Sequence, residues 1–135
     1  MKFFPVMLAA SLLVACGAKT SDEEQVRALI GAVEAAAEDR DTSDVLTHVA
    51  DNYVDSAGFD RMQLKNFLIG YFLAHPKVEL LVTIDSLEFP VDGLAQAVVT
   101  VATVELTDPD VRRLKVEFRR LENGWKVVRA DRVAR

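Results

Sequence analysis

The chain has 135 residues, half of them hydrophobic, with 16 Lys and Arg against 21 Asp and Glu, a net charge of −5. That length supports one ordinary domain. The acidic balance argues against a nucleic-acid binder, which relies on clustered positive charge, and against electrostatic attachment to an anionic membrane.

Met1-Lys2 makes a basic start, and Phe3 to Val14 is almost unbroken apolar sequence. A basic head, an apolar segment of roughly 7–15 residues and a small-residue cleavage site form a secretory signal peptide. A membrane-spanning helix needs about 20 apolar residues, and this run stops at Gly17-Ala18-Lys19. A buried core helix would place Cys16, Gly17, Lys19, Thr20 and Ser21 where an apolar face should continue. Leu13-Val14-Ala15-Cys16 resembles a bacterial lipobox. That resemblance implies acylation of the Cys16 sulfur by diacylglycerol and palmitate-type chains, with cleavage before Cys16. Gly17, in place of an aspartate, implies sorting to the outer membrane, facing the periplasm, or to the cell membrane of a single-membrane organism.

The expected organisation is a signal peptide over residues 1–15, a lipidated cysteine and short tether over 16–21, and one domain over 22–135. Cleavage leaves 120 residues and removes only Lys2 among the charges, so 15 basic residues stand against 21 acidic ones, a net charge of −6. The tether Gly17 to Ser21 spans at most about 17 Å when extended, which keeps the domain close to the bilayer. Cys16 is the only cysteine, so no intramolecular disulfide can form.

Ser21-Asp22-Glu23-Glu24 reads as a capping box opening a helix whose stripe is Val26, Leu29, Ile30, Val33 and Ala37. A second short helix follows Asp41-Thr42, with Val45, Leu46, Val49 and Tyr53 on its inner side. After the break at Ser56-Ala57-Gly58, Asp60 and Gln63 form another capping box and Phe59 stands where it can staple Leu64. The third helix faces inward through Leu64, Phe67, Leu68, Tyr71 and Phe72, and Pro76 stops it.

The period then changes from helix to strand. Val78 to Phe89 reads as a strand with Val78, Leu80, Val82 and Ile84 on one face, closed by the hairpin signal Asp92-Gly93. Leu94 to Leu106 has the two-sided Val, Thr and Ala content of a central strand, and Asp108-Pro109-Asp110 turns the chain. Leu114, Val116 and Phe118 alternate with Arg113, Lys115, Glu117 and Arg119. Asn123-Gly124 then predicts a hairpin into a last strand, Trp125 to Val133. Helices first and strands after predict an α+β domain with helices on one side of an antiparallel sheet.

Three helices, a four-stranded meander, the Phe59-Asp60 helix start and Asn123-Gly124-Trp125-Lys126-Val127-Val128 together resemble the NTF2-like superfamily over about residues 22–133. The nearest groups in that resemblance are the ketosteroid-isomerase-like and polyketide-cyclase-like proteins. The resemblance implies a sheet curled around the helices into a cone, often with an apolar pocket. A cystatin-like wrap of one helix is the competing architecture, and three helices speak against it.

Ketosteroid-isomerase chemistry uses a tyrosine on the first helix with two pocket acids, and the first helix here carries no tyrosine. The candidate pocket residues are Tyr53, Tyr71, Phe72, Asp85 and Trp125. Tyrosines on an apolar stripe usually pack the ring and send the hydroxyl to a rim partner. Asp85 is out of phase with its strand's apolar face and enters the pocket only if the strand bends near Ser86. His48 and Asp51 share one side of the second helix, and His75 fits a helix C-cap before Pro76. Two distant histidines and one lipidated cysteine make no metal site, and no cofactor motif is present. Arg112-Arg113, Lys115 and Arg119-Arg120 are expected as a basic strip on the outer sheet face.

These readings favour a lipid-anchored, periplasm-facing, non-catalytic binding or accessory protein of the envelope. Its expected partners are a small apolar ligand in the cone, or a second copy or another envelope protein on the sheet face. The runner-up is a cyclase- or isomerase-type enzyme using some combination of Tyr53, Tyr71 and Asp85. A third reading is an immunity or inhibitor lipoprotein against a periplasmic toxin.

Overall fold

Three helices precede four strands in residues 20–104 and 110–133, the residues that the computed structural model describes. The signal segment, Cys16 and the turn residues Asp108-Pro109 lie outside the described residues. Helix α1 is Asp22–Glu38, α2 is Thr42–Thr47 and α3 is Arg61–Ala74. Strands β1 (Leu80–Val91), β2 (Leu94–Thr103), β3 (Asp110–Leu121) and β4 (Gly124–Arg132) form one antiparallel sheet in the order β1-β2-β3-β4. The architecture is the α+β cone expected from the sequence.

The caps form much as their residues require. The Ser21 hydroxyl oxygen accepts from the Glu24 N–H at 3.1 Å, while the Glu24 carboxylate accepts the Ser21 hydroxyl at 3.2 Å. Asp60 and Gln63 complete a reciprocal box, with both backbone N–H groups bonded at 2.9 Å.

The second helix departs from expectation. Its apolar spacing continues to Tyr53, but α2 ends at Thr47. The following chain joins the sheet instead: Val127 N–H donates to the His48 carbonyl at 2.8 Å, and Ala50 N–H donates to the Val127 carbonyl at 2.9 Å. A six-residue helix is marginal by itself, so these cross-chain bonds win. Val45, Leu46, Val49 and Tyr53 are buried all the same.

Gly93 and Gly124 take positive φ (80° and 108°) at the tips of the two hairpins. Strand β1 starts two residues later than expected and runs past Pro90, which an edge strand accommodates. Its register slips between Ile84 and Ser86 and again between Glu88 and Val91, so Asp85 occupies a bulge.

Ala95 and Ala97 of β2 are fully buried, as is Val26 of α1. Such small side chains let the helix layer approach the sheet at this end of the cone. Every residue of the core cluster, and every apolar residue packed against it, lies between Val26 and Ala130. A chain beginning at Thr20 therefore retains the whole core.

Candidate functional site: an apolar cleft beneath the third helix

Two arginines hold the ends of α3. Arg61 Nη2 donates to the Leu46 carbonyl at 2.9 Å, and Arg40 reaches the Phe72 carbonyl from the end of α1. Between these ties only Phe72 of α3 is buried. Phe67, expected on the inner face, is half exposed at the rim, and Leu73 is 77% exposed.

Under α3 lies a cleft of about 560 Å³, within the usual range for small-molecule sites. Its walls are Leu29, Ile30 and Val33 of α1, Leu64, Leu68 and Phe72 of α3, and Val82, Val99, Val101, Leu114, Val116 and Phe118 of the sheet. The polar side chains on it are Glu34, Tyr53, Tyr71, Thr103, Asp110 and Arg112.

Three of the five candidate residues meet here: Tyr53, Tyr71 and Phe72. The Tyr53 ring is buried and its hydroxyl donates to Asp55 Oδ2 at 2.7 Å. Burial first, then the Asp55 hydrogen bond and charge, push its pKa well above that of an ordinary phenol. The group therefore stays protonated at neutral pH, with its hydrogen committed to the rim. The Tyr71 ring stacks on His75, with centroids 4.0 Å apart, and on Phe67 at 6.1 Å. His75 caps α3, with Nδ1 2.8 Å from the Tyr71 carbonyl.

Asp85 and Trp125 are not on the cleft wall. Alternation with Val82 and Ile84 leaves Asp85 on the outer face of the sheet, where it accepts the Thr100 hydroxyl at 2.6 Å and pairs with Arg113 at 3.4 Å. Trp125 is 4% exposed at the Ala95 end of the core, edge-on to Phe89, with the Arg120 guanidinium 5.5 Å above its ring. The Tyr53, Tyr71 and Asp85 set proposed for proton transfer therefore does not converge in one cavity.

The expected basic strip is also divided. Consecutive strand residues face opposite ways, so Arg112 turns into the cleft and pairs with Asp110 at 2.7 Å while Arg113 turns outward to Asp85. Arg120 bridges Asp22 and Asp92 at 3.0 and 2.7 Å.

Sequence reasoning missed Glu34 and Arg112 as cleft residues. Glu34 sits at i+4 from Ile30 on the edge of the α1 stripe, which was the available signal. Burial first, and the neighbouring Glu38 charge second, raise its pKa. Among the described residues Glu34 has no hydrogen-bond or ion-pair partner. His48 is the C-cap of α2, and neither it nor Asp51 reaches the cleft.

No family model and no curated protein matches the chain by sequence. Solved structures do match it in shape. An NTF2-like protein of unknown function from Pseudomonas putida KT2440 is 19% identical with a TM-score of 0.70, covering 88% of this chain and 90% of its own. An NTF-2 like protein of unknown function from Shewanella oneidensis MR-1 is 15% identical with a TM-score of 0.68, covering 83% and 98%. A domain of unknown function with a cystatin-like fold from Nostoc punctiforme is 16% identical with a TM-score of 0.72, covering 87% and 80%. At these identities the likeness shows the fold, which is NTF2-like.

Proposed function

We propose that this chain is a non-catalytic, lipid-anchored protein of the cell envelope whose cone holds a small apolar ligand. The observation that carries this reading is the cleft of about 560 Å³, walled almost wholly by aliphatic and aromatic side chains. Its non-catalytic character is supported by Tyr53, whose proton is committed to Asp55, and by Asp85, which faces away. The anchor rests on the Met1 to Cys16 pattern, with acyl chains on Cys16 holding the domain against the periplasmic side of the outer membrane.

Native mass spectrometry of a chain beginning at Thr20, purified gently from the periplasm, tests the ligand reading. The expected spectrum contains a species heavier than the polypeptide by one small molecule, and Val101→Phe, which fills the cleft, removes it. Added mass that survives Val101→Phe would place the molecule elsewhere and sink the reading.

A second contact has a specific observation behind it. Leu81, Ala102 and Val111 are in register across the outer sheet face, and Leu81 and Val111 are 62% and 58% exposed. We assign this row to contact with a second copy, because the neighbouring Asp85 and Arg113 offer both signs of charge to a two-fold mate. Sedimentation equilibrium should give a dimer that Leu81→Asp converts to monomer. A native chain that stays monomeric at high concentration would remove this contact.

A further inference from the structure

The charged groups of the cleft lie at one end only, and resting on the ligand reading above, that asymmetry identifies the class of ligand. Leu80, Thr103 and Asp110 are in register at one end of the sheet. Glu38, in the last turn of α1, accepts the Leu80 N–H at 2.9 Å, which docks that end of α1 onto this row. Glu34 lies one helical turn earlier and faces the cleft. Along β3 the wall then runs from Asp110 and Arg112 to Leu114, Val116 and Phe118. Eight residue steps at a rise of about 3.3 Å make this wall roughly 26 Å long. The apolar wall therefore extends well past the charged groups, which gather at one end.

Those charges do not cancel. Asp110 and Arg112 are paired at 2.7 Å, Glu38 is committed to Leu80, and Thr103 is committed to the Asp110 backbone. Glu34 is left as a carboxylate without a partner among the described residues, facing an apolar space. A carboxylate ligand seated there would be repelled by Glu34 and would have to compete with Asp110 for Arg112. A hydroxyl would be tolerated. A protonated amine, which only donates, would supply the missing counter-charge at the mouth of the apolar wall. We propose that the cleft takes an elongated amphiphile with a cationic amine head, the head against Glu34 and the apolar body running toward Phe118.

The test compares dodecylamine, dodecanol and dodecanoate at pH 7, each below its micelle concentration, for displacement of a neutral naphthyl fluorophore from the chain beginning at Thr20. Dodecylamine should bind at least about tenfold more tightly than dodecanoate, the equivalent of one moderate charge pair. Glu34→Gln should bring dodecylamine down to the affinity of dodecanol while leaving dodecanol itself unchanged. Equal or tighter binding of dodecanoate overturns the head-group assignment, as does an amine preference that survives Glu34→Gln. In either case the cleft stands as an apolar site. If none of the three displaces the fluorophore, the ligand reading itself falls and this assignment with it.

Discussion

Arg40 takes a left-handed backbone conformation, φ 58°, and from it donates through Nη2 and Nε to the Phe72 carbonyl at 2.6 and 3.2 Å. One residue thus ends α1 and ties down the C-terminus of α3, the roof of the cleft. Asp41 N–H bonds to the Ala36 carbonyl at 3.0 Å across the same turn, as a helix C-terminal motif requires. A non-glycine residue in this conformation costs about 1 kcal/mol, so the bonds to Phe72 must offset strain.

Two substitutions separate these effects. Arg40→Ala loses the bonds and keeps the strain, and should destabilise by about 1–2 kcal/mol. Arg40→Gly loses the bonds and relieves the strain, and should lie closer to the native chain by roughly 1 kcal/mol. Urea unfolding of both variants checks the order. If glycine were the more damaging of the two, Arg40 strain would not be a term in the stability.

Tyr53→Phe removes the hydroxyl that Asp55 accepts and leaves the ring in the core. Asp55 keeps its bonds from the Ala57 and Phe59 N–H groups at 3.0 and 3.1 Å. The expected cost is about 1 kcal/mol, the net worth of one partly buried hydrogen bond. Fluorophore affinity for the cleft should not move, because the hydroxyl points to the rim. A large loss of affinity would give the Tyr53 hydroxyl a direct role in ligand contact.

Asp131 fastens the loop after Tyr53 to β4, accepting the Ser56 N–H at 2.8 Å and pairing with Arg129. Burial alone would raise its pKa, but the hydrogen bonds from Arg129 and Ser56 outweigh that and lower it. A depressed folded pKa gives stability that is present above the unfolded value, about 3.9, and is lost as pH falls through the folded one. Asp131→Asn should therefore unfold at lower urea than the native chain at pH 7, and the gap should close in acid. A gap that is constant with pH would mean that the charge is not the source of the effect.

The legible parts of this chain are those set by local chemistry. Asp60 with Gln63, Asp92-Gly93 and Asn123-Gly124 each act within four residues, and each forms its expected cap or turn. The end of α2 was not legible, because the spacing of Val45, Val49 and Tyr53 suits a helix as well as a buried irregular segment. Only the distant Val127 decides between them. Asp85 keeps the outward phase that alternation from Val82 and Ile84 gives it; the bulge at Asp85 shifts only the residues that follow, turning Leu87 rather than Ser86 inward, and a bulge depends on the partner strand. Trp125 closes the core beside the Asn123-Gly124 hairpin, as its place after that turn suggests, whereas its distance from the cleft was not legible, since alternation says nothing about position along the cone. Glu34 and Arg112 went unnoticed for the opposite reason: charged residues beside an apolar stripe read as its solvated border until α3 roofs them over.

The same Glu34 is a source of mild instability at neutral pH when no cation faces it. Its folded pKa is raised, by burial first and by the Glu38 charge second. Stability from such a group is fully present below the unfolded value, about 4.3, and is lost as pH rises through the folded one. At pH 7 the charged carboxylate therefore disfavours the fold slightly, and solvent screening keeps the effect small. Glu34→Gln, which cannot ionise, should be more stable than the native chain at pH 7 by up to about 0.5 kcal/mol. That advantage should vanish near pH 4. Saturating dodecylamine should reverse the order at pH 7, because the native carboxylate then has its counter-ion and the glutamine does not. Urea midpoints with and without the amine decide the matter. A native chain more stable than Glu34→Gln without ligand would mean that Glu34 already has a counter-charge inside the protein.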